Sequence, residues 1–356
     1  MKFCQKKKKK RKKINILNFK YSLKKASLKN YNSFGVNAKA KNLIHISSER
    51  EIINFIEKNK KDELLILGGG TNILFTSDIE YPILKIEIKG IEIINEDDNE
   101  VLVSVGAGES WNELVWWCIE NNFGGIENLV SIPGNVGSAP IQNIGAYGKE
   151  IKDVIKNCKG VFVNNGSIKI FNKDECKFSY RSSIFKEELK NKFIITNITL
   201  RLTKKNHNIN IDYESLNNHL IENGISKPSI KNIADSIHVI RKSKLPNYKE
   251  FGNAGSFFKN PNINKKQLKK IKSLFPEIVS FKNENSDYKI SAAWLIENCG
   301  FKNIKEKNVT VYKDQALVII NTGNANGRDI YNFSQKIKKT VKEKFDILLE
   351  EEVNIL

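Results

Sequence analysis

The segment from Asn128 to Gly148 holds 21 residues without a charged side chain, in a chain where 28% of residues are Asp, Glu, Lys or Arg. Composition alone would place about six charges there. Four glycines and two prolines bend this backbone repeatedly and leave its peptide groups uncovered. Such a segment is either a multi-turn loop buried within the protein or a surface that donates main-chain N–H groups to a ligand such as a pyrophosphate or a flavin ring.

The composition is that of a globular protein with one basic extension. The chain has 356 residues, 40% of them apolar, which is enough for about two or three domains with hydrophobic cores. Of the formal net charge of +19, nine charges lie in residues 1–13, which leaves +10 for the rest. Such a run is typical of a solvated tail. The remaining excess would attract an anionic small molecule, and no specific nucleic-acid binding is expected.

Cysteine and histidine positions predict no metal site. The five cysteines are far apart without a C-x-x-C pair, and the four histidines never lie four residues apart. No apolar run approaches about 18 residues, and the basic N terminus lacks the apolar core of a signal peptide. We therefore expect a cytoplasmic protein without membrane insertion.

Strand-like and helix-like segments predict an α+β fold. A strand at 64–67 runs into the glycines at 68–70, and a strand at 101–105 precedes Gly106 and Gly108. Neither turn completes a Rossmann G-x-G-x-x-G fingerprint, and taken alone each is better explained as a tight turn. Further strands are predicted in the middle of the chain, and helices follow at 232–244, 265–275, 291–300 and 329–344.

Three other segments carry groups that could do chemistry. Arg181 lies in KFSYRSSIFK, where its guanidinium could hold a carboxylate or stabilise an enolate, or could merely form a salt bridge. Ser256 lies in the small-residue loop GNAGSFFKNP, where a serine is either a proton donor in a dry pocket or a turn residue. The glutamates at 350–352 near the C terminus are typical of a solvated charge run. When each segment is considered alone, the structural explanation is favoured, namely a salt bridge, a turn residue and a solvated charge run.

Taken together and in order, these segments resemble the UDP-N-acetylenolpyruvoylglucosamine reductase (MurB) family. The similarity spans nearly everything after residue 19, and the long uncharged block and GNAGSFFKNP are its most specific parts. The matching motifs are LGGGTN at 67–72, VGAGESW at 105–111, ENLVSIPGNVGSAPIQNIGAYGKE at 127–150, CKFSYRSSIFK at 176–186, KLPNYKEFGNAGSFFKNP at 244–261, SAAWLIENCG at 291–300, QALVIIN at 315–321 and LEEEV at 349–353.

The resemblance implies an α+β protein with an FAD-binding module of the vanillyl-alcohol-oxidase/PCMH type, made of two α+β subdomains. A MurB-type C-terminal substrate domain follows it. On this basis we predict a disordered lysine-rich extension at 1–18, FAD-binding subdomains at 19–89 and 90–230, a substrate-binding domain at 231–348 and a terminal segment at 349–356 that carries a catalytic glutamate.

The resemblance also implies non-covalently bound FAD, because no residue stands out as a covalent flavin anchor. The residues that would surround its pyrophosphate and ring system come from three glycine-containing loops. They are Gly68, Gly69, Gly70, Thr71, Asn72, Gly106, Gly108, Pro133, Gly134, Gly137, Ser138, Ala139, Gln142, Asn143 and Ala146.

The activity implied is reduction of UDP-N-acetylglucosamine enolpyruvate to UDP-N-acetylmuramate by NADPH through FAD, a step of peptidoglycan precursor synthesis. A hydride would pass from flavin N5 to the β-carbon of the enolpyruvyl group, and Ser256 would give a proton to the α-carbon. Arg181 and Glu352 would lie around the carboxylate and enol. The residues that would bind the substrate are Tyr147, Tyr213, Lys244, Asn260 and Gln315.

Two departures from the family pattern bear on Glu352. Glu351 stands where the family commonly has proline, and Asn354 where it usually has arginine. A shift by one residue would bring Glu351 or Glu350 to the site instead of Glu352. Two other functions stay open, namely a related FAD-dependent oxidase that reacts with oxygen and needs no Ser256, and a polyanion-binding protein that acts through its lysine tail. No oligomer is required, and a monomer is expected.

Overall fold

The computed structural model describes residues 25–59, 63–282 and 287–356, and the first unit among them is built around a small mixed sheet. Its elements are β1 (Ala26–Ser27), β2 (Lys39–Ile46), α1 (Glu49–Lys58), β3 (Leu65–Leu67), β4 (Ile73–Leu74) and β5 (Ile79–Ile86). The sheet has the order β1-β2-β5-β3, in which β2, β5 and β3 are parallel. Ser48 caps α1, since its side chain accepts a hydrogen bond from the Glu51 amide. The predicted extension at 1–18 lies outside the described residues.

The second unit is an antiparallel sheet with helices against it. Its strands are β6 (Ile91–Glu96), β7 (Glu100–Gly106), β8 (Gly145–Ala146), β9 (Lys149–Glu150), β10 (Ile155–Phe162), β11 (Ile168–Asn172) and β12 (Phe193–Thr203), and its helices are α2 (Trp111–Glu120), α3 (Glu214–Glu222) and α4 (Ile230–Lys244). The main sheet has the order β11-β10-β12-β7-β6, and β8 pairs with β9. The central strand β12 is largely buried because β-branched and aromatic residues fill it.

The C-terminal part mixes short sheets with three helices. Its elements are β13 (Asn262–Ile263), α5 (Lys265–Leu274), β14 (Ser280–Lys282), β15 (Tyr288–Ile290), α6 (Ala292–Asn298), β16 (Lys305–Glu306), β17 (Val309–Tyr312), β18 (Gln315–Asn321), α7 (Gly327–Phe345) and β19 (Asn354–Ile355). The predicted helices are all present. Short 3-10 turns lie at Lys29–Tyr31, Glu127–Leu129, Val136–Ser138, Ile151–Asp153, Asp174–Cys176 and Phe301–Asn303. None of the described helices is long and apolar enough to cross a bilayer.

Three hydrophobic cores formed by the described residues stabilise these units, and one of them joins the first sheet to the antiparallel sheet, with Leu84 in the same cluster as Val161. A second joins the first sheet to the C-terminal part, with Leu74 and Phe75 packed in the same cluster as Phe257 and Val309. The third fills the antiparallel sheet and takes in the buried face of α4. The prediction had assigned α4 to the substrate-binding domain, and its boundary near residue 230 stays a prediction.

The last residues of the chain cross back to the first unit. β19 pairs in parallel with β4, and the Leu356 amide donates to Leu74 O at 2.9 Å. Just before it, the Glu352 amide donates to Phe257 O at 2.8 Å. The terminal segment is therefore held between the first unit and the loop that contains Ser256.

Candidate active site

A cavity of about 710 Å³ lies where the first sheet, the antiparallel sheet and the C-terminal part meet. This size is typical of sites for small molecules and cofactors. It brings together most of the residues predicted from the sequence, although they come from distant parts of the chain. The predicted residues that line it are Gly68, Gly69, Gly70, Thr71, Asn72, Pro133, Gly134, Gly137, Ser138, Ala139, Gln142, Ala146, Tyr147, Arg181, Tyr213, Lys244, Ser256, Gln315 and Glu352.

Gly106, Gly108, Asn143 and Asn260 are not among the lining residues, and each has a structural contact instead. A Cβ at Gly106 or Gly108 would come within 2.5 Å of backbone atoms of the segment that joins β5 to β6. The buried Asn143 amide donates to Glu150 and to Ser179 O. Asn260 Oδ1 accepts from the amide that starts α6, at 2.9 Å. These four residues contact neighbouring protein segments. That any of them contacts a ligand directly stays a prediction.

The glycine-rich loop after β3 packs backbone to backbone against the uncharged block. A Cβ on Gly68 would lie 2.2 Å from Ser138 Oγ, and one on Gly69 would lie 2.9 Å from Gly134 Cα. A side chain is therefore excluded at Gly69, whereas one at Gly68 would require the Ser138 side chain to move. Asn72 Nδ2 crosses between the units, since it donates to Gln142 Oε1 at 2.6 Å and to Glu352 O at 3.2 Å. The two loops form one wall of the cavity from peptide groups and small side chains.

Arg181 and Glu352 form an ion pair at the cavity wall. The distance from Arg181 Nε to Glu352 Oε1 is 2.9 Å, and the side chains are only 21% and 13% exposed. Arg181 Nη2 also donates to Gly145 O at 2.9 Å. The guanidinium is thus fixed at two points beside the cavity, and such charge-assisted contacts are stronger than neutral ones.

The three successive glutamates have three different partners. Glu350 lies 3.1 Å from Lys259 Nζ, and Glu351 lies 2.8 Å from Lys338 Nζ. Burial opposes ionisation of Glu351, but hydrogen bonds from Lys338 and Gln335 lower the pKa of its carboxyl overall. Of the three, the structure turns Glu352 toward Arg181 and holds the other two away.

Ser256 lies one residue before the backbone contact of Glu352. The residue is half-buried and lines the cavity, and it forms a bridge to Val318 of β18. The Phe257 amide donates to Leu317 O at 2.8 Å, while Phe257 O accepts from the Glu352 amide. Ser256 is therefore set on rigid strand-like backbone between β18 and the terminal segment.

Tyrosines stand at another part of the cavity wall. The rings of Tyr147 and Tyr213 meet edge to face with centroids 4.9 Å apart. Burial raises the pKa of the Tyr147 hydroxyl, whereas Tyr213 is 52% exposed. Tyr213 precedes α3, so it can reach a ligand that enters from solvent. Lys244 lines the same cavity from the last turn of α4.

Three cations that line the cavity are not predicted from the sequence, namely Arg241, Lys186 and Lys190. Burial lowers the pKa of the Arg241 guanidinium, and its buried Nε has no hydrogen-bond partner among the described residues. Lys186 is half-buried and donates to Arg181 O at 2.9 Å. A signal existed for Arg241, because it follows the buried Ile237 by four residues and so continues the apolar stripe of α4.

Comparison with known proteins matches both halves of the chain. Residues 246–356 match the family model of the UDP-N-acetylenolpyruvoylglucosamine reductase C-terminal domain, and residues 40–172 match that of an FAD binding domain. A protein named UDP-N-acetylenolpyruvoylglucosamine reductase from Flavobacterium johnsoniae is 48% identical over 93% of this chain and 98% of its own length. The one from Amoebophilus asiaticus is 42% identical over 92% and 97%.

A solved structure has a similar fold. The crystal structure of the reductase from Thermus caldophilus aligns with a TM-score of 0.66 at 20% identity, over 93% of this chain and 98% of that one. The similarity in sequence and in fold thus extends over nearly the whole of each chain.

Proposed function

The chain belongs to the UDP-N-acetylenolpyruvoylglucosamine reductase family, and we propose that it reduces UDP-N-acetylglucosamine enolpyruvate to UDP-N-acetylmuramate with FAD as cofactor and NADPH as reductant. The predicted fold, an FAD-binding module followed by the family's C-terminal domain, is confirmed. The observation that supports this function best is the meeting of Ser256, Arg181 and Glu352 in one cavity with the glycine-rich loops. The reaction is a reduction step of peptidoglycan precursor synthesis.

The cavity has features that fit FAD. Gly68 and Gly69 line the cavity and carry no side chains, so their peptide groups can approach a pyrophosphate closely. Arg241 Nε and Ser215 Oγ are buried polar atoms that line the cavity and have no partner among the described residues. An anionic ligand would satisfy both. When bound, FAD supplies the redox chemistry, accepting electrons from NADPH and delivering a hydride to the substrate.

The chain's own groups carry the rest of the reaction. Reduction at the β-carbon of an enol ether conjugated to a carboxylate leaves enolate character, which a fixed cation stabilises. Arg181 is that cation, and its guanidinium has further N–H donors besides those that Glu352 and Gly145 O occupy. Glu352 orients the guanidinium, and the Ser256 hydroxyl holds the proton that goes to the α-carbon.

The test is the product. With the purified protein, consumption of NADPH beyond the one equivalent that reduces the flavin should require the enolpyruvyl substrate, and the product should carry the mass of one added hydride and one added proton. Consumption of oxygen with the substrate unchanged would favour the oxidase alternative. Salt-sensitive binding of nucleic acid without any turnover would favour the polyanion-binding alternative.

We also propose that the protein acts as a monomer in the cytoplasm. All three proposed catalytic residues line a single cavity within one chain. Sedimentation at working concentrations would check the oligomeric state.

Arg241→Met is expected to weaken the binding of FAD or of the UDP-sugar substrate by about tenfold or more, because a charge-assisted hydrogen bond contributes about 1.5–3 kcal/mol. The stability of the ligand-free protein should not fall, since the change removes a buried cation whose Nε has no hydrogen-bond partner in the described part of the chain. Titration of flavin fluorescence and of substrate binding measures the affinities, and urea unfolding measures the stability.

The control for Arg241 is Arg201→Met. Arg201 is exposed and lies 3.7 Å from Glu100, so its loss should change neither affinity. If Arg241→Met left both affinities unchanged and lowered only the stability, Arg241 would be a structural residue and not part of the ligand site.

A further inference from the structure

Arg181 lies in a tight turn that holds its backbone in an uncommon conformation. Two main-chain hydrogen bonds between Ser179 and Ser182, of 3.0 and 3.2 Å, close the turn. Arg181 has a φ of 54°, in the left-handed region that non-glycine residues rarely adopt. Such a conformation persists only where surrounding contacts hold it.

Lys186 makes the contact that holds this turn from the side of the cavity. Its Nζ donates to the carbonyl oxygen of Arg181 at 2.9 Å, from five residues further along the chain. The side chain is half-buried and lines the same cavity as Arg181 and Glu352. Burial and the neighbouring Lys259 lower the pKa of the Lys186 ammonium. The mechanism proposed above assigns no function to this half-buried lysine.

The contacts of Arg181 are divided between its two ends. Glu352 and Gly145 O fix the guanidinium, and Lys186 fixes the backbone at the base of the side chain. If the base moved, the turn could relax toward an ordinary conformation and the guanidinium would leave Glu352. We propose that Lys186 is a positioning residue that holds the turn in the conformation in which Arg181 meets Glu352. This inference rests on the role of Arg181 in the proposed function.

Lys186→Met, which keeps the aliphatic stem and removes the ammonium, tests the inference in the FAD-bound full chain. Stopped-flow absorbance separates flavin reduction by NADPH from flavin reoxidation by the enolpyruvyl substrate. Flavin reduction should be unchanged and reoxidation about tenfold slower, since misplacing a catalytic group by about 1 Å can cost a hundredfold. The loss should appear in kcat with little change in KM. The amides of Ser179 and Ser182 should exchange hydrogen faster.

Two further variants separate positioning from general damage. Lys186→Arg keeps a cation with N–H donors and should recover most of the reoxidation rate. Lys177→Met is the matched control, because Lys177 belongs to the same segment but is exposed and pairs with Glu188 at 2.7 Å. It should behave like the unmodified protein.

Three results would overturn the inference. Lys186→Met could reoxidise at the normal rate, it could slow both half-reactions equally, or Lys186→Arg could be no better than the methionine variant. Arg181→Met, measured in parallel, distinguishes failure of the inference about Lys186 from failure of the proposed function. Normal reoxidation in Arg181→Met would remove the role of Arg181 itself and with it the reason for Lys186.

Discussion

Ser256→Ala is expected to leave flavin reduction by NADPH intact and to slow flavin reoxidation by UDP-N-acetylglucosamine enolpyruvate by about a hundredfold or more, the usual contribution of a positioned general acid. The change removes one oxygen atom from a residue that rigid backbone holds on both sides, so the fold should not change. Arg181 and Glu352 would stay in place, and the missing element would be the proton donor for the α-carbon. Anaerobic stopped-flow absorbance of the flavin measures each half-reaction separately.

The control for Ser256 is Ser273→Ala, on the exposed side of α5. Its hydroxyl donates to the Lys270 carbonyl oxygen at 2.7 Å, neither residue lines the cavity, and its loss should affect neither half-reaction. Equal slowing of both half-reactions in Ser256→Ala would mean that the serine supports the site's structure. It would then not be the proton donor.

Gly70→Ala is expected to lower the free energy of unfolding by about 2–5 kcal/mol and to weaken FAD binding with it. Gly70 has a φ of +67°, and a side chain in this left-handed conformation costs about 1–2 kcal/mol. A Cβ would also lie 2.0 Å from Tyr31 O, and relieving such an overlap adds about 1–3 kcal/mol. Because Gly70 directly precedes Thr71 and Asn72 in the cavity wall, the shift would reach the ligand site.

Gly35→Ala separates the two causes. Gly35 has a φ of +65°, close to that of Gly70, but a Cβ there would meet nothing within 4 Å. It should therefore show only the conformational cost, about 1–2 kcal/mol, and normal FAD affinity. Urea unfolding at a fixed FAD concentration measures both variants. If both variants lost the same free energy of unfolding, φ alone would explain the need for glycine at position 70, and the close approach of Tyr31 O would not matter.

Much of the cavity could be predicted because its chemistry requires residue types that stand out in this composition. A long uncharged block rich in glycine is improbable in a chain this charged unless its backbone contacts something, and the structure packs it against the loop after β3. The ordered series of motifs also predicted that Arg181, Ser256 and Glu352 would meet, although a large part of the chain separates the first from the last.

What could not be predicted depends on tertiary contacts. Glycine gives the same signal whether a ligand or another backbone segment needs the space, and Gly106 and Gly108 are of the second kind in the structure. Residue type alone does not tell the three glutamates apart, and Glu352 was chosen from the family pattern; in the structure, contacts with Lys259, Lys338 and Arg181 distinguish them. These ion-pair partners come close to the glutamates only when the chain has folded.

The cations at the cavity that were not predicted are hard to recognise for a related reason. Arg241 and Lys186 look like ordinary residues of a basic chain, and 59 of its residues are Lys or Arg. Their burial at the cavity follows from how α4 and the segment after Arg181 pack. Only the position of Arg241 on the apolar stripe of its helix could have pointed to it.

An anaerobic visible spectrum of the FAD-bound protein, recorded after addition of NADPH and then of UDP-N-acetylglucosamine enolpyruvate, tests both half-reactions in one sample. We expect the flavin band to bleach with NADPH and to recover when the substrate is added, with UDP-N-acetylmuramate as the product. Bleaching without recovery would show a flavoenzyme that does not reduce this substrate, and it would contradict the function proposed for the Ser256, Arg181 and Glu352 site.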